Sequence, residues 1–102
     1  MNYPNLELHP EADAEIDAAF DWYAEQSFEA AFGFFEELDH AVAQVMSAPD
    51  RWAVYLHGTR RFIMKRYPFV LVYRTLADDR VQIVAVAHGR RNPGYWHDRV
   101  ID

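Results

Sequence analysis

Two stretches of this chain leave little freedom for the rest. Phe69-Val70-Leu71-Val72-Tyr73-Arg74 and residues 81–88 are near-continuous apolar strands, and the turn-forming Ala77-Asp78-Asp79 lies between them. Strands without polar alternation need cover from other elements, and so short a connection makes the two antiparallel neighbours. At 102 residues the chain has material for one core and not two, so a single domain spanning 1–102 is expected. The apolar share of 51% supplies that core and rules out a disordered chain.

The cover comes from the first half. Leu6-Glu7-Leu8 alternates as a short strand and is closed by His9-Pro10, where Pro suits the first turn of a helix. Ile16, Ala19, Phe20 and Tyr23 then recur at three- and four-residue steps, with Glu11, Asp13, Glu15, Asp17 and Asp21 on the other sides and in the N-terminal turn, which predicts a helix over 10–26. Ser27 is a candidate N-cap, and Ala31, Phe35, Leu38, Val42 and Val45 carry a second helix to Ala48-Pro49. Phe32 and Phe34 cannot both face the sheet with Phe35, so one apolar edge should stay exposed, able to accept a partner helix or strand. Residues 52–56 form a short β-prone run, and residues 60–65 alternate, with Phe62 and Met64 on one face and Arg61, Ile63 and Lys65 on the other. The expected fold class is α+β: an N-terminal helical hairpin packed on a small twisted antiparallel sheet, with residues 6–8 added at an edge.

Charge is divided sharply. Residues 1–50 hold twelve Asp or Glu and no Lys or Arg, whereas residues 51–102 hold all ten Lys and Arg and four acids, so halves of −12 and +6 give the net −6. Such a division marks either two solvated faces or a basic surface for an anionic partner. The cations fall into three groups: Arg60-Arg61 with Lys65-Arg66, Arg74 with Arg80, and Arg90-Arg91 with Arg99. In a meander, the strand start at Arg60 and the strand end at His88-Gly89-Arg90-Arg91 are expected to meet. Their forked guanidinium donors would hold phosphate or carboxylate oxygens. His88, Arg90 and Tyr95 could also supply the base, cation and acid that RNA cleavage by its own 2′-hydroxyl requires. Otherwise His88 satisfies a strand end, and Tyr95-Trp96 pins the tail to the sheet.

Other chemistries are excluded. The absence of cysteine removes disulfides, thiolate metal sites and a cysteine nucleophile. His9, His40 and His57 lack ligand-type spacing, and no glycine-rich phosphate loop, Gly-x-Ser-x-Gly elbow or paired-carboxylate site occurs, so neither metal nor cofactor is expected. With no leader-like start and no long apolar segment, a cytoplasmic protein without membrane contact is expected.

Taken together, Leu8-His9-Pro10-Glu11-Ala12, Asp21-Trp22-Tyr23-Ala24-Glu25-Gln26-Ser27, Ala48-Pro49, Arg60-Arg61-Phe62, Arg66-Tyr67-Pro68-Phe69, Val72-Tyr73-Arg74 and His88-Gly89-Arg90-Arg91-Asn92-Pro93-Gly94-Tyr95-Trp96 resemble the RelE/ParE superfamily of type II toxin–antitoxin toxins, also called plasmid stabilisation proteins. The resemblance implies a growth-arresting toxin and a cognate antitoxin partner that wraps it, in a hetero-oligomer, as a helix and extended segment. Two mechanisms then compete. A ParE-like toxin would bind DNA gyrase without chemistry of its own, with Arg60, Arg61, Lys65, Arg66, Arg90, Arg91 and Trp96 as its contact surface. A RelE-like endoribonuclease would cut mRNA on the ribosome with Arg61, His88, Arg90 and Tyr95. Val70 stands where RelE-like members carry an arginine before Leu71-Val72-Tyr73, and this departure with the net acidity favours the ParE-like branch. A degenerate member that only binds antitoxin is the third reading.

Overall fold

The computed structural model describes residues 2–101; Met1 and Asp102, the ends of the expected 1–102 domain, lie outside it. Helix α1 spans Pro10–Gln26 and α2 spans Phe28–Ser47. His9 caps α1 by accepting the Glu11 N–H on Nδ1 at 3.1 Å. Ser27 serves both helices: its N–H closes α1 on the Tyr23 carbonyl at 2.9 Å, and its Oγ accepts the Ala30 N–H at 3.0 Å to open α2. One residue thus ends one helix and starts the next, which forces a tight hairpin.

Five strands follow the order β1 (Leu6–Leu8), β5 (Val81–His88), β4 (Phe69–Thr75), β3 (Arg60–Ile63), β2 (Ala53–Val54). β2 to β5 are antiparallel neighbours as expected, while β1 pairs with β5 in parallel, so the sheet is mixed. The parallel pairing reflects the long connection from β1 through both helices, which no hairpin turn constrains. A register shift sets Val72 opposite Ala85 and Tyr73 opposite Ile83, leaving Val84 as an extra residue. The sheet is buried on both faces. Leu71, Tyr73, Ile83 and Val86 pack with the helices, whereas Val72, Val84, Ala85 and Ala87 pack under the C-terminal tail around Trp96. Among the described residues no helix is long and apolar enough to cross a membrane.

The helical stripe differs from expectation at one ring. Phe34, not Phe35, enters the core, along Ala31, Leu38, Ala41, Val42 and Val45. Steps of three and four permit either phenylalanine, and a cluster of rings decides it: Phe34 stacks on Tyr23 at 5.6 Å and meets Phe69 edge-on at 5.3 Å. Phe35 turns to the outer seam against Phe20 at 6.2 Å.

Gly33 in mid-α2 has a steric cause. A Cβ there would lie 2.4 Å from the Tyr67 hydroxyl, which donates to the Ala30 carbonyl at 2.8 Å. Gly33→Ala, usually worth about 1 kcal/mol in a helix, is therefore expected to destabilise by about 1–2 kcal/mol, and to stabilise in a Tyr67→Phe background; denaturant melts of the four variants check the sign change.

Tyr73 gives a second test. Its hydroxyl donates to the Pro49 carbonyl, and burial pushes its pKa up to about 12, against a smaller opposing effect of Arg60. A raised folded pKa means that stability is fully present below the ordinary tyrosine value near pH 10 and drains away as pH rises towards 12. Thermal melts across that window should fall less steeply for Tyr73→Phe than for the unsubstituted chain.

Candidate functional site

The residues after β5 fold back across the sheet face that the helices leave open. Gly94 turns the chain with φ +81°, and a Cβ there would stand 3.3 Å from His57 Nε2, so the Pro93-Gly94 turn needs glycine for both backbone and space. Trp96, expected on the contact surface, is instead only 1% exposed, packed on Val72, Val84, Ala85 and Ala87. The sheet's second apolar face had to be covered, and Trp96 is the largest ring available to cover it.

The tail is tied down through Glu15. Arg99 reaches Glu15 with two donors at 2.9 and 3.1 Å, and its Nε lies 3.3 Å from Glu11. The Tyr95 hydroxyl donates to the same Glu15 carboxylate. Burial, and then that hydrogen bond, push the Tyr95 pKa far above the usual tyrosine value. β1 pairs with β5 only as far as Ile83. Beyond it Glu15 accepts the Val86 N–H at 3.0 Å, and Arg99 donates to the Val84 carbonyl at 3.1 Å. An ion pair thus stands where another strand would, and completes the edge of β5.

Register sets which cations meet. β3 and β5 both flank β4 and run the same way, so Arg60 is level with Tyr73 and Ile83, while Ile63 is level with Val70 and Ala87. Arg60 and His88 therefore lie at opposite ends of the sheet, contrary to the sequence expectation, which overlooked that alternate strands of a meander start at the same end. Arg60 is engaged on the helix face, where it donates to the Trp52 carbonyl at 2.7 Å. The residues that do share an end are Lys65-Arg66 after β3 and Arg90-Arg91 after β5, all exposed, with Gly89 N–H bound to the Pro68 carbonyl at 2.7 Å between them. Arg74 and Arg80 are engaged elsewhere, Arg74 with Gln82 at 2.8 Å and Arg80 with Glu7 at 3.2 Å.

Beside this basic end lies a hollow of about 190 Å³, walled by Tyr55, Arg61, His88, Arg91 and Tyr95. Arg61 stacks over Tyr55 at 4.6 Å and Arg91 over Tyr95 at 3.8 Å. Of the residues considered for strand cleavage, Arg61, His88 and Tyr95 meet here and Arg90 does not line the hollow. His88 Nδ1 accepts the Arg90 backbone N–H at 3.1 Å, and the Tyr95 hydroxyl is held by Glu15.

A larger groove of about 700 Å³ runs between α2 and β3, with Trp52, Phe62 and Ile63 as its apolar part, Glu37 and His40 on the helix side and Lys65 and Arg66 on the strand side. β2 covers β3 only at Arg60 and Arg61, so Phe62 and Ile63 have no strand on their outer side. Glu37 Oε1 accepts the Arg66 N–H at 2.7 Å; its Oε2 is buried without a hydrogen-bond partner among the described residues. Sequence reasoning set Glu15 on the polar sides of the first helix, whereas it turns to β5 and the tail, and passed over Glu37, although a signal existed. Each acid sits on an apolar stripe, Glu15 between Ala12 and Ala19, Glu37 between Phe34 and Ala41. Among the described residues no group of three or more metal-ligating side chains could hold a metal ion.

Residues 6–93 match the family described as ParE toxin of type II toxin-antitoxin system, parDE. Two curated relatives, both named Toxin ParE2, from Mycobacterium tuberculosis strains CDC 1551 / Oshkosh and ATCC 25618 / H37Rv, are 25% identical over 91 residues, covering 86% of this chain and 84% of theirs. A solved structure of a chromosomal ParDE toxin–antitoxin system from P. aeruginosa superposes with a TM-score of 0.70 at 22% identity, over 81% of this chain and 92% of that one, and supports the fold.

The two kinds of ion pair make a testable contrast. Arg99→Ala removes the partner of a mostly buried carboxylate and should cost about 3 kcal/mol, whereas Arg80→Ala breaks an exposed pair and should cost less than about 1 kcal/mol in the same denaturant titration.

Proposed function

The chain belongs to the family of ParE toxins of type II toxin–antitoxin systems, and from that premise we propose that it arrests growth by binding DNA gyrase in the cytoplasm and is neutralised by a cognate antitoxin in a hetero-oligomer. The basic sheet end of Lys65, Arg66, Arg90 and Arg91 is the contact surface, and no bond is made or broken by the toxin itself. One observation carries the choice of binding over chemistry. The Tyr95 hydroxyl, the candidate acid, is bound to Glu15 beneath the tail, and Arg90 lies outside the hollow that holds His88. With Val70 in place of a further cation, this leaves a developing phosphorane without its proton donor and with only Arg61 and Arg91 beside His88 to neutralise it. The exposed cations need no such assembly to hold an anionic or acidic partner.

The groove along α2 supports the antitoxin part of the reading. It joins an apolar floor, an open strand edge and the buried Glu37 oxygen, which together suit an extended or helical segment that brings a donor to Glu37.

The endoribonuclease reading keeps one observation in its favour, the meeting of Arg61, His88 and Tyr95 around one hollow. Viable counts after induction of the chain alone, and with the neighbouring open reading frame, test the toxin reading. Viability should fall by orders of magnitude and recover with the neighbour. His88→Ala should leave killing intact, Arg90→Glu with Arg91→Glu should abolish it, and plasmid supercoiling should change while transcripts stay whole. Ribosome-dependent cuts that vanish with Arg90→Ala would establish the nuclease instead, and unchanged viability with folded protein present would leave only antitoxin binding.

A further inference from the structure

Four exposed cations share the basic sheet end, and one of them differs from the rest in what lies beneath it. Arg91 spreads its guanidinium over the Tyr95 ring, 3.8 Å from the centroid, whereas Lys65, Arg66 and Arg90 lie over no ring among the described residues. The loop between the two residues makes the contact. The Arg91 N–H is bound to the His88 carbonyl at 3.0 Å and the Tyr95 N–H to the Asn92 carbonyl at 3.1 Å. Gly94, at φ +81°, turns the chain back, so the ring arrives under a side chain four residues before it.

The ring is itself fixed. Its hydroxyl is bound to Glu15, and Arg99, held by the same carboxylate, lies 5.2 Å from its centroid. Across the hollow Arg61 rests on Tyr55 at 4.6 Å, and Tyr55 leans on the buried Trp96 at 6.0 Å. Both guanidiniums that wall the hollow are thus seated on tyrosine rings, and neither has an ion pair or a side-chain hydrogen bond among the described residues. A guanidinium laid on a ring keeps its forked N–H donors at its edge, open to a planar acceptor.

We propose that Tyr95 is a positioning residue of the target surface: it holds Arg91 in one orientation, so that Arg91 and Arg61 together take one carboxylate side chain of the target protein into the hollow. This rests on the toxin reading and names the chemistry of its contact. Size supports it, because about 190 Å³ lies below the roughly 300–1,000 Å³ of small-molecule pockets and suits a single side chain. Order supports it as well. A seated arginine has given up its rotamers before the partner arrives, whereas Lys65, Arg66 and Arg90 must do so on binding. The occupant is a carboxylate because the target of that reading is a protein; an RNA phosphate matches the same fork, and the test separates the two.

The test is inhibition of gyrase supercoiling by the whole purified chain, beside an NMR spectrum of the free chain. Tyr95→Leu should weaken inhibition about tenfold, and Tyr95→Phe, which keeps the ring without the hydroxyl, should restore it. Arg91→Lys keeps the charge and loses the planar fork, and should weaken inhibition as much as Arg91→Ala. Arg91 is exposed, so Arg91→Lys reads the role even where Tyr95→Leu loosens the tail. In the double variant Tyr95→Leu with Arg91→Ala the losses should not add, because the ring acts through the arginine. In the free chain the Arg91 Nε–H resonance should lie upfield over the ring, and lose that shift in Tyr95→Leu but not in Tyr95→Phe. Full inhibition by Arg91→Lys or by Tyr95→Leu overturns the role and leaves the toxin reading standing. Loss of activity in Tyr95→Phe, with cut transcripts from the unsubstituted chain, assigns the hydroxyl to acid catalysis on RNA and overturns both. An unsubstituted chain without effect on gyrase overturns the toxin reading, and this role with it, even where the resonance is shifted.

Discussion

The carboxylate of Glu15 joins three parts of the molecule at one point: the first helix, the edge of β5 and the C-terminal tail. It accepts from Val86, Tyr95 and Arg99, while Arg99 turns to the Val84 carbonyl, so the groups left open where β1 stops are satisfied by side chains. A partly buried ion pair gains little from Coulomb attraction alone, because desolvating both charges offsets most of it. Here each charge is also bound to backbone groups that would otherwise be orphaned, and this makes the arrangement favourable. The central strands are apolar on both faces, so the sheet needs helices on one side and the tail on the other, and this pair is where the two covers are fastened to each other.

Much of that plan can be read from residue patterns. The extents of both helices, the capping of α2 by Ser27 and the strand runs around residues 69–74 and 81–88 follow from period, capping and turn chemistry, all of which are local. Misreadings begin where distance in sequence matters. Phe34 and Phe35 satisfy the same helical spacing, and only rings from Tyr23 and Phe69 choose between them. The parallel direction of β1 depends on where a chain arrives after crossing two helices, a property of the whole fold.

The candidate site shows the same division. Placing Arg60 beside His88 neglected strand direction, and register instead brings Lys65-Arg66 beside Arg90-Arg91. Trp96 reads both as a contact residue and as a ring pinning the tail to the sheet, and the second reading is the one the structure has. Its burial follows from the need to cover Val72, Val84, Ala85 and Ala87 on the second sheet face. Glu15 and Glu37 were visible as acids on apolar stripes, and an acid at such a position asks which donor it meets.

The split of charge along the chain becomes a split through space, because the first fifty residues build the helical layer and the rest builds most of the sheet and the tail. The molecule is therefore an electric dipole whose axis crosses its layers. A dipole in the field of a large polyanion feels a torque before it feels contact, over roughly the 8 Å that physiological salt leaves unscreened. A chain drifting towards such a surface rotates its tail and sheet end forward, and one arriving with its helices first is turned away. Orientation, which for a neutral protein is found by repeated collision, is here set during the approach.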